Sequence, residues 1–112
     1  MKLNHMNLTV TDVNANQMFF EKYFNLKSKG KHKDSFAIMV DEDEFLLALM
    51  KGPHVTYPKS FHIGFEQESE KQVNEIYQRL KDDGYKVKPP MKAHRWTFYV
   101  KAPGGFMVEV FN

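Results

Sequence analysis

These 112 residues contain no cysteine, which excludes disulfides, thiolate-ligated metals and a cysteine nucleophile and fits a reducing compartment. No apolar run approaches the roughly 20 residues that a membrane-spanning helix needs. Nothing at Met1 has the composition of a signal peptide, so the expected location is cytoplasmic, with no membrane partner. An excess of charge of one sign is also missing: 16 Lys and Arg against 14 Asp and Glu give a net charge of +2. The lysines are scattered among carboxylates, which excludes a nucleic-acid footprint. Glycine and proline are few, at six and five, and only Lys51 to Ser60, with Pro53 and Pro58, reads as a linker. What the chain has in quantity is soft and aromatic: ten Phe, five Tyr and seven Met, a composition suited to a cavity wall as well as to a core. The length supports one core and not two.

Three stretches share one pattern. Read with a strand's period of two, Phe61, Ile63 and Phe65 face one side while His62, Gly64 and Glu66 face the other. The run Leu3 to Val10 places Met6, Leu8 and Val10 on one side and His5, Asn7 and Thr9 on the other. Near the end of the chain, Phe106, Val108 and Val110 form the apolar set and Glu109 stands alone opposite them. Two histidines and one carboxylate, each on the polar face of a strand, have the composition of a two-histidine, one-carboxylate metal site with open positions.

Between these strands the signals are local. The turn and cap cluster Thr11 to Asn14 predicts a helix over Ala15 to Phe24, with Asn14 and Gln17 as a capping box and Phe19, Phe20, Tyr23 and Phe24 at helical spacing. Lys27 to Lys33 reads as a solvated turn. Ser35 to Val40 and Phe45 to Met50 read as strands joined by the acidic turn Asp41 to Glu44, which lacks the glycine and spacing of a calcium loop. After the linker the order begins again. Ser69 and Gln72 form a capping box for a helix whose face is Val73, Ile76, Tyr77 and Leu80, and Gly84 stops it. Strands are expected at Tyr85 to Lys88, Arg95 to Lys101 and Phe106 to Asn112.

The halves superimpose as repeats. His5 matches His62 at an offset of 57 (62 minus 5), Phe36, Ile38 and Val40 match Trp96, Phe98 and Val100 at 60, and Phe45 matches Phe106 at 61. The expected fold is α+β: one domain of two tandem βαβββ units, residues 1–51 and 60–112 joined by a linker over 52–59, whose uncovered sheet faces close into a curved cup.

On His5, His62 and the stretch Phe98-Tyr99-Val100-Lys101-Ala102-Pro103-Gly104-Gly105-Phe106-Met107-Val108-Glu109, the chain resembles the vicinal oxygen chelate superfamily. That family includes glyoxalase I, type I extradiol dioxygenases, fosfomycin-resistance enzymes and bleomycin-resistance proteins, and the resemblance covers essentially the whole chain. It implies a divalent ion (Fe, Mn, Ni or Zn) held by His5, His62 and Glu109, a small oxygenated substrate that chelates the ion, and a homodimer. Glyoxalase I relatives usually supply a fourth ligand at the position equivalent to Glu109 in the first unit. Here that position falls on Ala48, which cannot ligate and leaves three protein ligands.

Strand parity predicts the lining. Arg95, Thr97 and Tyr99 share the face of Glu109, and the equivalent face of the first half is Ala37, Met39, Leu46, Ala48 and Met50. The candidate substrate-binding residues are therefore Met39, Ala48, Met50, Lys92, Arg95, Thr97 and Tyr99. Tyr99, as a hydrogen-bond donor or acid, and Glu109 are the candidate catalytic residues. Lys88, Lys92, His94 and Arg95 border the expected mouth and suit an anionic substrate. Three functions fit: a metal-dependent enzyme working by isomerisation, addition to an electrophilic carbon or oxygenation; a metal-free module of the bleomycin-resistance type that sequesters a flat or aromatic ligand between two chains; and a redundant or regulatory family member whose cup is vestigial.

Overall fold

The computed structural model describes residues 1–112, and one order of elements runs through it twice. The first unit, Met1–Thr56, contains β1 (His5–Val10), α1 (Val13–Phe24), β2 (Lys27–His32), β3 (Phe36–Val40) and β4 (Leu46–Lys51). The second, Tyr57–Asn112, contains β5 (His62–Glu66), α2 (Glu70–Asp82), β6 (Met91–Lys92), β7 (Trp96–Lys101) and β8 (Met107–Phe111). Each forms a four-stranded sheet of the same topology, β1-β4-β3-β2 and β5-β8-β7-β6. In both, the opening strand lies parallel to the last strand and the other pairs are antiparallel. The α+β class and the duplicated βαβββ order are as expected.

Capping sets the helix starts. Asp12, not Asn14, caps α1: its carboxylate accepts from the Ala15 amide at 2.9 Å, which draws Val13 and Asn14 into the first turn. Asn25, at φ 57°, ends that helix. Ser69 caps α2 as expected, accepting from the Gln72 amide at 3.2 Å. The Gln72 side chain reaches back to the Glu68 amide at 2.8 Å, and Gly84, at φ 93°, stops the helix.

Cross-strand register decides what each face buries. In the first unit Leu47 pairs with Met39 and Leu49 with Ala37, and all four are buried with Leu8 and Val10. This is the side on which α1 packs its own buried Phe19, Phe20, Tyr23 and Phe24. The opposite face carries His5, Asn7 and Thr9 beside Leu46, Ala48 and Met50, which pair in turn with Val40, Ile38 and Phe36. In the second unit Phe98, Val100, Val108 and Val110 are buried with Val73 and Leu80 of α2, and Tyr77 meets Phe98 edge-on at 5.8 Å.

Several expectations are corrected. Lys27–His32 is a paired edge strand rather than a solvated turn. Its lysines recur with a strand's period, but a bulge at Lys29 breaks the register, and lysine and bulges are devices that keep an edge from pairing further. Tyr85 to Lys88 is not a strand; the fourth strand of that sheet is the two-residue β6. The β3 repeat offset is 61 (98 minus 37), since Ala37 pairs with Leu49 as Phe98 pairs with Val110. The turns after β3 and β7 are also equal in length: Asp41 to Phe45 and Ala102 to Phe106 close with the same pair of backbone hydrogen bonds. Because side chains alternate, one residue of offset exchanges the two faces. Met39 therefore belongs to the face that α1 covers, is 0% exposed, and does not line the face of Ala48 and Met50.

Candidate functional site

The polar face of the second sheet gathers the candidate residues. Gly64 pairs with Glu109 and His62 with Met107, while Tyr99 pairs with Glu109 and Thr97 with Phe111. His62, Gly64, Thr97, Tyr99 and Glu109 thus share one side. Glycine at position 64 keeps the strand beside Glu109 free of a side chain, and an added Cβ there would stand 3.1 Å from the Phe111 ring.

Glu109 is the centre of this group and only 6% exposed. A buried carboxylate requires partners, and four side chains surround it. The Thr97 hydroxyl donates to Oε2 at 2.7 Å, and the Tyr99 phenol hydrogen-bonds to the carboxylate. His62 Nε2 lies 3.5 Å from Oε1, and His94 Nε2 lies 3.5 Å from Oε2. The His62 ring stands edge-on to Tyr99 with centroids 5.6 Å apart.

Both strand histidines are arranged to present Nε2. His62 Nδ1 is 3.0 Å from the Ser60 carbonyl oxygen, an acceptor only, so in the neutral ring Nδ1 carries the proton and Nε2 the lone pair. His5 Nδ1 makes the same kind of bond to Asn4 Oδ1 at 2.8 Å. Holding a ligand ring by its other nitrogen is the usual support for a metal-binding histidine. His5 pairs with Leu46 as His62 pairs with Met107, which confirms the repeat offset of 57 for these strands. Ala48 pairs with Asn7 as Glu109 pairs with Gly64, so the first unit has alanine at the Glu109 position. No group of three or more His, Cys, Asp or Glu side chains is drawn together tightly enough to enclose an ion.

The remaining expected lining residues are distributed as follows. Arg95 keeps to the Glu109 side, at its Glu66 and Phe111 end, where Nη2 is 3.6 Å from Glu66 and the guanidinium lies 5.3 Å over the Phe111 ring. Lys92 does not share that side: it pairs with Trp96, whose indole donates to Asn74 of α2 at 2.9 Å. Met91, which pairs with Thr97, holds the place expected for Lys92. Thr97, expected to touch substrate, is 4% exposed with its hydroxyl engaged by Glu109. Ala48 and Met50 lie on the polar-strand side of the first sheet, as expected. Sequence reasoning placed His94 at the mouth but missed its approach to Glu109. Its position on the turn between β6 and β7, where the Ala93 amide donates to the Arg95 carbonyl oxygen at 2.9 Å, carries no periodic signal.

Burial, the negative charge of Glu109 and the hydrogen bond to Glu109 all raise the Tyr99 phenol above its ordinary value of 10.0. With Tyr99 still 40% exposed, the carboxylate is the cause most open to test. A raised value means that the folded state holds the proton longer than the unfolded chain, so this contribution to stability is complete below pH 10 and lost as the pH rises through the folded value. Phenolate absorbance, taken as the difference between wild type and Tyr99→Phe, is expected to show a late-titrating tyrosine that moves back toward its ordinary value in Glu109→Gln. An unmoved titration would remove Glu109 as a cause.

The chain is similar along 100% of its length to a structure described as a possible glyoxalase from Bacillus cereus, with 56% identity, 99% of that chain covered and a TM-score of 0.96. The fosfomycin resistance protein FosX from Listeria monocytogenes shares the fold at 21% identity and TM-score 0.84, over 99% of this chain and 92% of that one. A lactoylglutathione lyase from Agrobacterium tumefaciens shares it at 17% identity and TM-score 0.78, over 98% and 92%. No curated protein matches by sequence. The family model described as Glyoxalase/Bleomycin resistance protein/Dioxygenase superfamily matches residues 2–110, and the chain belongs to that superfamily.

Proposed function

We propose that this protein is a divalent-metal-dependent enzyme acting on a small oxygenated molecule, with His62 and Glu109 of the second unit and His5 of the first as its protein ligands. The observation that carries the reading is the pairing of His62 Nε2 with Glu109 Oε1 at 3.5 Å on the polar face of the second sheet, each held from behind by a donor or acceptor of its own. The donor set fits a borderline ion such as Mn(II), Fe(II), Ni(II) or Zn(II). A FosX variant that shares the fold at 18% identity and TM-score 0.82 was crystallised with Mn(II) and 1S,2S-dihydroxypropylphosphonic acid, a ligand with neighbouring oxygens.

When bound, such an ion supplies Lewis acidity toward a substrate oxygen. The protein's own groups do the rest. Tyr99, which pairs with Glu109 on that face and keeps 40% of its surface exposed, would donate a hydrogen bond to a developing negative oxygen. Gly64 lets the Phe111 ring close over the strand beside Glu109, and Arg95, stacked on that ring, gives the face a cation for an anionic substituent. Three protein ligands, with alanine at position 48 where a fourth would stand, favour addition to an electrophilic carbon or oxygenation over isomerisation of the glyoxalase I kind. The working assembly is a cytoplasmic homodimer, with His5 contributed within one chain or from a second copy.

The test is metal analysis of the purified protein with thermal shifts in Mn(II), Fe(II), Ni(II) and Zn(II), followed by turnover assays. The substrates are the methylglyoxal–glutathione adduct, fosfomycin with a thiol or water, and catechols. At least one ion is expected to raise Tm by several degrees and to support one of these reactions. Protein with no stoichiometric metal and no shift in any of the four would leave a metal-free ligand-binding shell as the better account.

A further inference from the structure

Of the four side chains around Glu109, Thr97 alone is closed off from solvent. His62, His94 and Tyr99 all retain exposed surface, so each is free to exchange its contact with Glu109 for one to an ion or a substrate. Thr97 is 4% exposed and its hydroxyl has one available role. A carboxylate accepts only, so the 2.7 Å contact to Oε2 must be an O–H donated by Thr97. The side chain is β-branched on a strand, which restricts its χ1 and so the direction of that donation. Glu109 stands diagonally across β7 and β8 from Thr97, a separation its longer side chain spans.

The repeat supplies an internal comparison. At the β3 and β4 offset of 61, the first-unit counterparts of Thr97, Tyr99 and Glu109 are Phe36, Ile38 and Ala48. Where the carboxylate is absent, both hydroxyls are absent with it. The fold therefore does not require a threonine at this point of the sheet, since an aromatic side chain occupies the same register in the other unit.

We infer that Thr97 is a positioning residue for metal binding: by holding Oε2 it fixes the carboxylate rotamer and leaves Oε1 aimed at the His62 side as the ligating atom. This role rests on the metal site proposed above. It assigns Thr97 to the support of a ligand rather than to contact with substrate, and it makes Glu109 a ligand through one oxygen.

Mn(II) titration of the 112-residue protein by calorimetry, with Thr97→Val, Thr97→Ser and Thr97→Ala beside wild type, tests it. Valine keeps the shape and removes the donor; serine keeps the donor and removes a methyl group. Loss of a supporting hydrogen bond of this kind weakens metal binding by about 10–100-fold, and that is expected of Thr97→Val, with Thr97→Ser within about threefold of wild type. Should the valine variant not fold, Thr97→Ala against Thr97→Ser makes the same comparison. Wild-type affinity in Thr97→Val overturns the role. So does an equal loss in Thr97→Ser and Thr97→Val, which would assign the effect to packing. The titration uses Mn(II) or, where that does not bind, whichever of Fe(II), Ni(II) and Zn(II) does; wild-type protein that binds none of the four overturns the metal site itself, and this role falls with it, an outcome visible before any variant is made.

Discussion

Glu109→Gln is expected to lower the affinity for Mn(II) by more than about 100-fold while leaving the protein folded. Glutamine has nearly the size of glutamate and can still accept the Thr97 hydrogen bond, so the change is confined to charge and to the weaker donor oxygen of an amide. An ion held by two neutral imidazoles depends on the carboxylate for its only negative partner, and removing a ligand costs more than the 10–100-fold typical of its support. The apo variant should be as stable as wild type or more so, because a carboxylate at 6% exposure carries a desolvation penalty that an amide avoids. Thermal melts read both effects. At an Mn(II) concentration of about 100 times the wild-type Kd, binding stabilises wild type by about 2.7 kcal/mol and a 100-fold weaker variant by about 0.4 kcal/mol. For a chain of this length that is a rise of about 10 °C against one of about 2 °C. A variant that keeps the full rise would show that Glu109 is not a ligand. His5→Ala, run in parallel, tests whether the first-unit histidine joins the second-unit pair: an undiminished rise there would remove His5 from the site.

The second large effect lies on the helix side of the first sheet. Met39→Ala is expected to destabilise the protein by about 2–5 kcal/mol, the cost of removing a long apolar side chain from a packed interior and leaving a cavity. Ile38→Ala, one residue away on the opposite face and only half-buried, should cost about 1 kcal/mol. Urea unfolding separates them, with a fall in midpoint of about 1 M or more for Met39→Ala and Mn(II) affinity unchanged by it. If Ile38→Ala proves the more damaging and Met39→Ala alters ligand binding, the faces of β3 are the reverse of those described.

Much of the candidate site is legible in the residues because it depends on parity within a single strand. His5, His62 and Glu109 each stand opposite an apolar set of their own strand, and that alternation needs no partner to be read. The Ser69 cap with its Gln72 partner, and the Gly84 stop, are local in the same way. Lys27–His32 was not recognisable as a strand since nothing in it is apolar. Its edge position supplies no buried face to mark it, and the bulge at Lys29 breaks the period its lysines would otherwise show.

Counting along the chain puts Met39 in the lining through a repeat offset wrong by one, and Lys92 through its nearness to Arg95. Cross-strand pairing, fixed by turn length and by the packing of α1 and α2, puts each on the other side of its sheet. The same holds for Thr97: its parity with Glu109 follows from the sequence, but whether its hydroxyl meets a substrate or the carboxylate depends on a diagonal contact between two strands.

By itself the sequence determined the class of fold, the duplicated order of elements, the helix stops and the sides on which two histidines and one glutamate stand, because backbone alternation and capping act over a few neighbouring residues. Only the tertiary structure decided that Glu109 is enclosed by Thr97, Tyr99, His62 and His94, that Lys92 and Met39 face away, and which imidazole nitrogen is left free. Those outcomes depend on register and on burial, and both are set by chain segments that meet across the sheet rather than along it.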